Sequence, residues 1–367
     1  MRKRTVTFIL FSMLISLFLW GCGSSMDDPL DIVRLYAQTY RNGGSVDEME
    51  ACLIAEGFPT VDSQGDYPGY LANPQALQDF WEKISAGEDA DVTILSISET
   101  GSLMHMQFAV HSDEQVCTQT YLEWDEYQEP YISQQEQHIL YDLELTEYGS
   151  FYYQIYPDDC HYENYGKIRL TPVNTEYYDL TQKYIAPIGY HQKNMFFLDW
   201  TEADFGGLCF NEVFECLQEM RTGIPPASTN LPYNPEEACT LISAAEFEET
   251  VESFFSVSTE VLRDKALYQE VEDAYPYAFT YAYYHDDIPD MAPMVTDVIE
   301  NSDGTITLRV DVSSLDWKMD QVFCHEVTIR QTEDGGFQYV SNTITAQNVD
   351  KLPVSDPRLS IFANTEE

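Results

Sequence analysis

The sequence predicts an α+β protein with two modules, in each of which N-terminal helices precede a curled antiparallel meander. Apolar residues recur at helical spacing between residues 28 and 85 and then alternate with period two between residues 92 and 156. After a proline-rich stretch at 224–239, helical spacing again gives way to alternation. The two halves share the order of their elements but no repeated residue pattern.

The N-terminus, residues 1–21, has the pattern of a secretory signal peptide. A basic start at residues 2–4 precedes an almost unbroken apolar run from Val6 to Trp20. The motif Leu-Trp-Gly-Cys, which ends at Cys22, resembles the lipobox of bacterial lipoproteins. In that family the cysteine receives a diacylglycerol and the signal is cut just before it. The resemblance implies a lipid on Cys22, a tether over 22–27 and a location on the extracytoplasmic side of the cell membrane.

Three helices open the first module, which we expect over residues 28–223. Asp28 and Pro29 begin a helix that ends near Asn42, Ser45 begins a second helix with a capping box, and Asn73 begins a third. Strands are then predicted at 92–97, 104–110, 116–124, 139–145 and 151–156. Residues 158–223 are assigned to the same module, with strands at 167–173 and 194–200 and a helix at 210–221.

The four prolines between Ile224 and Glu237 predict a linker over 224–239. The second module follows at 240–350, and a tail at 351–367. Ser243 begins a helix with a second capping box, and Ser258 begins another helix that ends near Glu270. Strands are predicted at 275–284, 295–300, 305–312, 322–331 and 337–345, with tight turns at 302–304 and 334–336.

Charge and cysteine content limit the classes of partner. Loss of the basic residues 2–4 with the signal peptide leaves 15 basic residues against 63 acidic ones, a formal charge of −48. Such a surface repels nucleic acid and anionic head groups, so nucleic acid is excluded as a partner. Beyond Cys22, seven cysteines remain, and an odd number spread this widely does not indicate a disulfide framework.

The stretch 322–342, VFCHEVTIRQTEDGGFQYVSN, resembles a group of uncharacterised, acidic, tyrosine-rich lipoproteins from Gram-positive anaerobes. That group has no established activity, so the resemblance transfers no functional residue. The order of helices followed by a curled sheet also looks like the NTF2-like or cystatin-like rolls. Those folds carry binding, catalytic and scaffolding proteins alike, so they imply architecture and no function.

His325 is the histidine of most interest. Alternation places it with Phe323 and Val327 on the apolar face of its strand, whereas His105 and His138 fall on the polar faces of theirs. An inward histidine could act as a general base or as a ligand donor. The alternative is a core histidine that is satisfied by a buried partner.

The second candidate is an aromatic ribbon in the strand 275–284. Its members alternate with small residues and so share one face: Tyr275, Tyr277, Phe279, Tyr281 and Tyr283. Facing solvent, the ribbon would be a platform for sugar rings or apolar ligands. Facing inward, it would be the wall against which the second module's helices pack, and the hydroxyl groups would need buried partners.

The sequence predicts no metal site, no cofactor and no catalytic residue. Asp158–Glu163 contains every type of metal ligand, but adjacent residues rarely converge on one ion. The acidic turn at 301–304 lacks the later ligands of a calcium loop. Catalytic elbows, zinc helices, phosphate loops and dinucleotide fingerprints are absent from the sequence.

We therefore expect a membrane-anchored, non-catalytic protein that binds a glycan, a peptide or an envelope protein. An envelope assembly or structural factor is the first alternative, and it predicts a large apolar surface patch. An extracytoplasmic hydrolase acting on glycan or peptide is the second, and it predicts that His325 lines a pocket together with carboxylates.

Overall fold

The protein is an α+β protein of helices and mainly antiparallel sheets. The computed structural model describes residues 28–63, 68–112, 114–156, 164–191, 193–226, 231–234, 239–277, 289–353 and 359. The described helices are α1 (Pro29–Arg34), α2 (Ala37–Arg41), α3 (Val46–Ala55), α4 (Gln75–Ser85), α5 (Thr175–Tyr184), α6 (Phe210–Thr222), α7 (Ala244–Phe254) and α8 (Thr259–Lys265).

The described strands fall into three sheets. They are β1 (Thr60–Asp62), β2 (Tyr70–Ala72), β3 (Ala90–Ile97), β4 (Leu103–His111), β5 (Glu114–Trp124), β6 (Pro130–Leu145), β7 (Ser150–Tyr156), β8 (Asn164–Arg169), β9 (Trp200–Thr201), β10 (Tyr233–Asn234), β11 (Cys239–Ser243), β12 (Ala274–Tyr277), β13 (Met291–Glu300), β14 (Thr305–Ser314), β15 (Met319–Gln331) and β16 (Phe337–Gln347).

The chain forms two compact units. Unit 1 extends to Tyr141 and also includes Ile155–Asn164, and unit 2 comprises Asp142–Gln154 and the chain from Tyr165 onward. In unit 1 the strand order is β2-β1-β3-β4-β5-β6, and every pair is antiparallel except β1 with β3. Unit 2 contains the sheet β13-β14-β15-β16-β9 and the small sheet β10-β11-β12.

Helices α1–α3 cover one end of one face of the sheet in unit 1. Tyr36 of the connection between α1 and α2 is fully buried, and its hydroxyl donates to the Gly101 carbonyl at 3.1 Å. The indole of Trp124 donates to the same carbonyl at 2.8 Å and stacks on Tyr40. The predicted capping box at Ser45 is confirmed, since its hydroxyl accepts from the Glu48 amide and the Glu48 carboxylate accepts from the Ser45 amide. The remaining members of this core are Ile32, Val33, Met49, Leu53, Leu95, Ile97, Leu103 and Leu122.

One face of β4 and part of both faces of β6 differ from the alternation that the sequence suggests, whereas Met106 and Phe108 of β4 are buried as expected. His105 and His138, expected on polar faces, are both buried. His105 pairs with Thr120 in the row beneath the helices, whereas His138 pairs with the buried Cys117 on the opposite face. The exposed residues of β6 include Ile139, because the partner strand β5 and not local hydrophobicity sets which face is covered.

The division into units differs from the predicted domain boundary at 223. Helix α6 and strand β9, assigned by sequence to the first module, lie in unit 2. Phe214 of α6 stacks on Phe247 of α7 with centroids 4.8 Å apart, and Phe247 stacks on Tyr275 at 4.2 Å. The core thus continues past the proline-rich stretch 224–239, in which residues 233–234 form strand β10 against β11. Both Asp-Gly-type hairpin turns of unit 2 are confirmed, with positive φ at Gly304 and Gly335.

Candidate functional site

His325 lies at the centre of a buried chain of hydrogen bonds in unit 2. Its Nε2 is 2.7 Å from the hydroxyl of Tyr190, and its Nδ1 is 2.7 Å from Oδ1 of Asn342. The Asn342 side-chain amide donates to the Leu198 carbonyl at 2.7 Å, so its Oδ1 is an acceptor. The imidazole therefore carries its proton on Nδ1, and its Nε2 accepts from Tyr190.

The surroundings keep His325 neutral. The side chain is fully buried among aromatic rings. The centroids of the Phe196 and Phe323 rings lie 5.2 and 5.6 Å from the centroid of the imidazole. Burial lowers the pKa of His325 to about 4, although the hydrogen bond to Asn342 opposes this shift. Burial also raises the pKa of Tyr190 well above its usual value. Both ring nitrogens are thus satisfied inside the core, which is the core-histidine alternative that the sequence left open.

The aromatic ribbon is partly described. Tyr275 and Tyr277 are fully buried, and the Tyr277 ring packs edge-on against Phe214. The Tyr275 hydroxyl reaches Glu248 and donates to its Oε1 at 2.9 Å. At these two positions the strand forms core, so neither ring is available to a ligand from solvent. The other three members, Phe279, Tyr281 and Tyr283, lie outside the described residues, as do Cys22 and the acidic stretch 158–163.

A buried carboxylate network that sequence reasoning missed lies elsewhere in unit 2. Asp320 accepts hydrogen bonds from the hydroxyl groups of Thr146 at 2.5 Å, Ser150 at 2.6 Å and Tyr152 at 3.0 Å. The ammonium of Lys167 lies 2.8 Å from its Oδ1. Burial alone would raise the pKa of Asp320, but the hydrogen bonds from Lys167, Ser150 and Thr146 outweigh it and hold that pKa below its usual value. Three of the four donors bind Oδ1 and one binds Oδ2, so the carboxylate joins the chain segments that carry these donors.

A shallow cleft of about 230 Å³ also lies in unit 2. Its lining residues are Glu202, Ala203, Asp204, Phe205, Ser256, Val257, Ser258, Val261 and Lys265. Glu202 is held by both guanidinium nitrogens of Arg330, and Lys265 donates to the Gly206 carbonyl at 2.7 Å. Ser258 caps α8. These polar groups are occupied by structural contacts, and His325 does not line the cleft.

The uncovered part of the sheet in unit 1 is different, and we call it the open face. It lies on the same side of the sheet as α1–α3, beyond the end that these helices cover. Two rows of paired residues cross β3, β4, β5 and β6 there: Thr93, Gln107, Thr118 and Gln137 in the first, and Asp91, Ala109, Val116 and Ile139 in the second. Tyr141 continues the face along β6, and its ring lies 6.3 Å from that of Tyr156. The exposed fractions are 53% for Ile139, 69% for Tyr141 and 37% for Tyr156.

A family model described as a family of unknown function, DUF6070, matches residues 31–358. The chain belongs to this family. The match includes nearly all described residues of both units, the open face and the buried networks around His325 and Asp320. Comparisons with curated proteins and with solved structures found no match.

In this DUF6070 chain, the described residues contain no group of three or more His, Cys, Asp or Glu side chains placed to hold a metal ion. Within the same ranges, none of the helices combines the length and the apolar character of a membrane span. The cysteines within the described ranges form no disulfide bond: Cys52, Cys117, Cys209, Cys216, Cys239 and Cys324.

Proposed function

We propose that the protein is an extracytoplasmic lipoprotein, anchored through Cys22, that binds a ligand or partner without catalysing a reaction. The observation that carries the proposal is the open face of unit 1. There, Ile139, Tyr141 and Tyr156 leave large apolar surface in contact with water. Apolar surface that is exposed contiguously, and not as scattered single side chains, is typical of binding sites.

The contrast with the buried networks supports a binding role. His325 is sealed and satisfied on both nitrogens, and Asp320 accepts contacts from four donors. The imidazole has no free nitrogen for a substrate atom, which general acid–base chemistry requires. The hydrolase alternative therefore loses His325, the residue that the sequence analysis named for it.

The anchor is tested by metabolic labelling with an alkyne fatty acid in bacterial cells that express the full chain. We expect label on the wild-type protein and none on Cys22→Ala, together with release of the variant from the membrane fraction. Label that persists in Cys22→Ala, or none in the wild type, would remove the anchor from the proposal.

Binding is tested by thermal unfolding of the full chain in a detergent without a sugar head group. The panel contains neutral and anionic cell-wall oligosaccharides, peptides and calcium. A ligand at a hundred times its dissociation constant adds about 2.7 kcal/mol to the free energy of unfolding, which shifts the midpoint by several degrees. Failure of every member of the panel to shift the midpoint would contradict a soluble ligand.

An envelope assembly factor remains the second candidate. Large apolar side chains are also exposed in unit 2, at Ile224, Val271 and Trp317. That candidate predicts that Trp317→Ser impairs envelope assembly and leaves binding to the panel unchanged. Normal envelope assembly in the Trp317→Ser variant would count against this candidate.

We also propose that the sheets belong to the NTF2-like or cystatin-like rolls. In unit 1 the helices α1–α4 precede the meander β3-β4-β5-β6, and α1–α3 pack on one face of it, which is the order those rolls share. An experimental structure of the chain that superposes on neither type of roll would overturn this assignment.

A further inference from the structure

We infer that the open face binds a neutral oligosaccharide. This inference rests on the proposed binding function and names its site and ligand class. It is carried by four properties of the open face: its dimensions, its uncommitted polar groups, its low charge and its exposed aromatic pair.

The dimensions suit a short chain of sugars. Four strands at a spacing of about 4.8 Å make the rows about 14 Å wide, and successive rows on one face are about 7 Å apart. The first row, the second row and Tyr141 therefore extend over about 14 Å along β6 as well. A single small molecule would leave most of this surface empty.

The polar groups of the first row are free to bind. Within the part of the chain that the structure describes, the side chains of Thr93, Gln107, Thr118 and Gln137 make no hydrogen bond to another residue. Amides and hydroxyls each both donate and accept, as sugar hydroxyl groups do. The next row towards the helices differs, because Gln135 already donates to Thr120 at 3.2 Å.

The charge of the face selects a neutral ligand. Asp91, at the β3 end of the second row, is the one charged residue in the two rows, and neither row contains Lys or Arg. A phosphate or carboxylate ligand would meet no cation there, and the formal charge of −45 for the whole chain repels polyanions. Beyond the second row, Glu114 pairs with His111, whose imidazole lies 3.8 Å from the Asp89 carboxylate. The carboxylates are thus confined to the margin of the face, and the two rows themselves offer a cationic peptide only Asp91.

The aromatic pair supplies stacking surface. The planes of Tyr141 and Tyr156 meet at 40°, so the two rings do not stack on each other, and both side chains are exposed to solvent. Aromatic rings with a polar hydroxyl tip suit ligands that are apolar on one side and polar at the edge, as a pyranose ring is. Tyr131, further along β6, differs because its hydroxyl donates to the Glu123 carboxylate at 3.0 Å.

The test is isothermal titration of the full chain, in a detergent without a sugar head group, with cellohexaose, chitohexaose and mannohexaose. An oligogalacturonate serves as the anionic probe. We expect at least one neutral hexaose to bind, with affinity reduced about tenfold by Tyr141→Ala and by Tyr156→Ala, which corresponds to about 1.4 kcal/mol each. Gln137→Ala should cost about fivefold, as the loss of one or two hydrogen bonds does.

Tyr127→Ala is the matched control. Tyr127 is 75% exposed and lies in the turn at the opposite end of β6, so its loss should leave affinity unchanged. Equal unfolding midpoints of all variants would show that each change acts on binding and not on folding.

Binding of a hexaose that Tyr141→Ala and Tyr156→Ala leave intact would overturn the site. Binding of a peptide or of the oligogalacturonate, with no neutral hexaose bound, would overturn the ligand class while the proposed binding function stands. If no hexaose binds and no member of the wider panel shifts the unfolding midpoint, both the inference and the proposal of a soluble ligand fail.

Discussion

Replacing Asp320 by Asn should destabilise unit 2 by about 2–3 kcal/mol. Breaking a buried ion pair from one side costs about 3–5 kcal/mol, because the remaining charge is left uncompensated. The Lys167 side chain is 25% exposed, so water recovers part of that cost. The new amide group would also point a donor at hydroxyl groups that now donate to the carboxylate, from Thr146, Ser150 and Tyr152.

Urea unfolding followed by far-UV circular dichroism measures this effect, as a lower midpoint with an unchanged slope. Asp297→Asn is the matched control, since Asp297 forms an exposed pair with Arg309 at 3.0 Å and such pairs contribute about 0–1 kcal/mol. If Asp320→Asn cost no more than this control, the buried network would contribute nothing to stability and the argument for it would be refuted.

The pH dependence gives an independent check on Asp320. Its folded-state pKa is held below the usual 3.8, so its contribution to stability is present above that pH and is lost as the pH falls through the folded-state pKa. The difference between the wild type and Asp320→Asn should therefore be constant from pH 5 to 8 and shrink below about pH 4. A difference that grows on acidification would contradict the assigned charge state.

Three further predictions concern buried polar groups. Burial raises the pKa of Glu50 to about 7 against the hydrogen bonds from Ser63, so this carboxyl weakens the fold as the pH rises from about 4.5 to 7. Glu50→Gln should remove that loss and raise the unfolding midpoint at pH 8, and an equal or lower midpoint there would refute it. Asn211 donates from its buried amide to two backbone carbonyls, at 3.0 and 2.7 Å. Asn211→Ala should therefore lower the free energy of unfolding in urea by about 2–4 kcal/mol. A loss under 1 kcal/mol would mean that water replaces the amide as the donor to these carbonyls. Tyr190→Phe leaves Nε2 of His325 without its donor and should lower the free energy of unfolding by about 1–3 kcal/mol. The loss should be equal at pH 6 and pH 8, because the imidazole stays neutral at both. A loss that changes between these pH values would contradict the neutral form.

Local signals in the sequence predicted local structure. The capping box at Ser45 begins α3, and the glycines at 304 and 335 take the positive φ of tight turns. At Ser243 the hydroxyl accepts from the Glu246 amide and begins α7, but the Glu246 carboxylate accepts from Gln218. These elements depend on residues within four positions of each other, so the sequence alone identifies them. The first helix was expected as one element to Asn42 but is divided at residues 35–36, where Tyr36 is drawn into the core.

Long-range pairing explains what sequence reasoning missed. In β6 the apolar residues Ile139 and Tyr141 suggest an inward face, but pairing with β5 buries His138 and Leu140 and leaves the apolar pair exposed. The open face was therefore missed because alternation in the sequence assigns Ile139 and Tyr141 to the inward face of β6. Asp320 is separated from its hydroxyl donors by about 170 residues, and no pattern in the sequence links them.

The aromatic residues show the limit of alternation as a guide to function. From the sequence, the aromatic ribbon at 275–283 is compatible with a buried wall and with a solvent-facing platform. Its described members Tyr275 and Tyr277 pack in the core of unit 2. Alternation shows which side chains share a face, but only the covering helices decide whether that face meets water.

Methyl NMR of the full chain during titration with the best-binding neutral hexaose tests the central claim most directly. The methyl groups of Ile139, Val116 and Ala109 lie on the open face, whereas Ile224 and Val271 are exposed in unit 2 and serve as references. We predict saturable shifts of the first three and none of the references. Shifts that appear at Ile224 or Val271 and leave Ile139 unchanged would contradict the account.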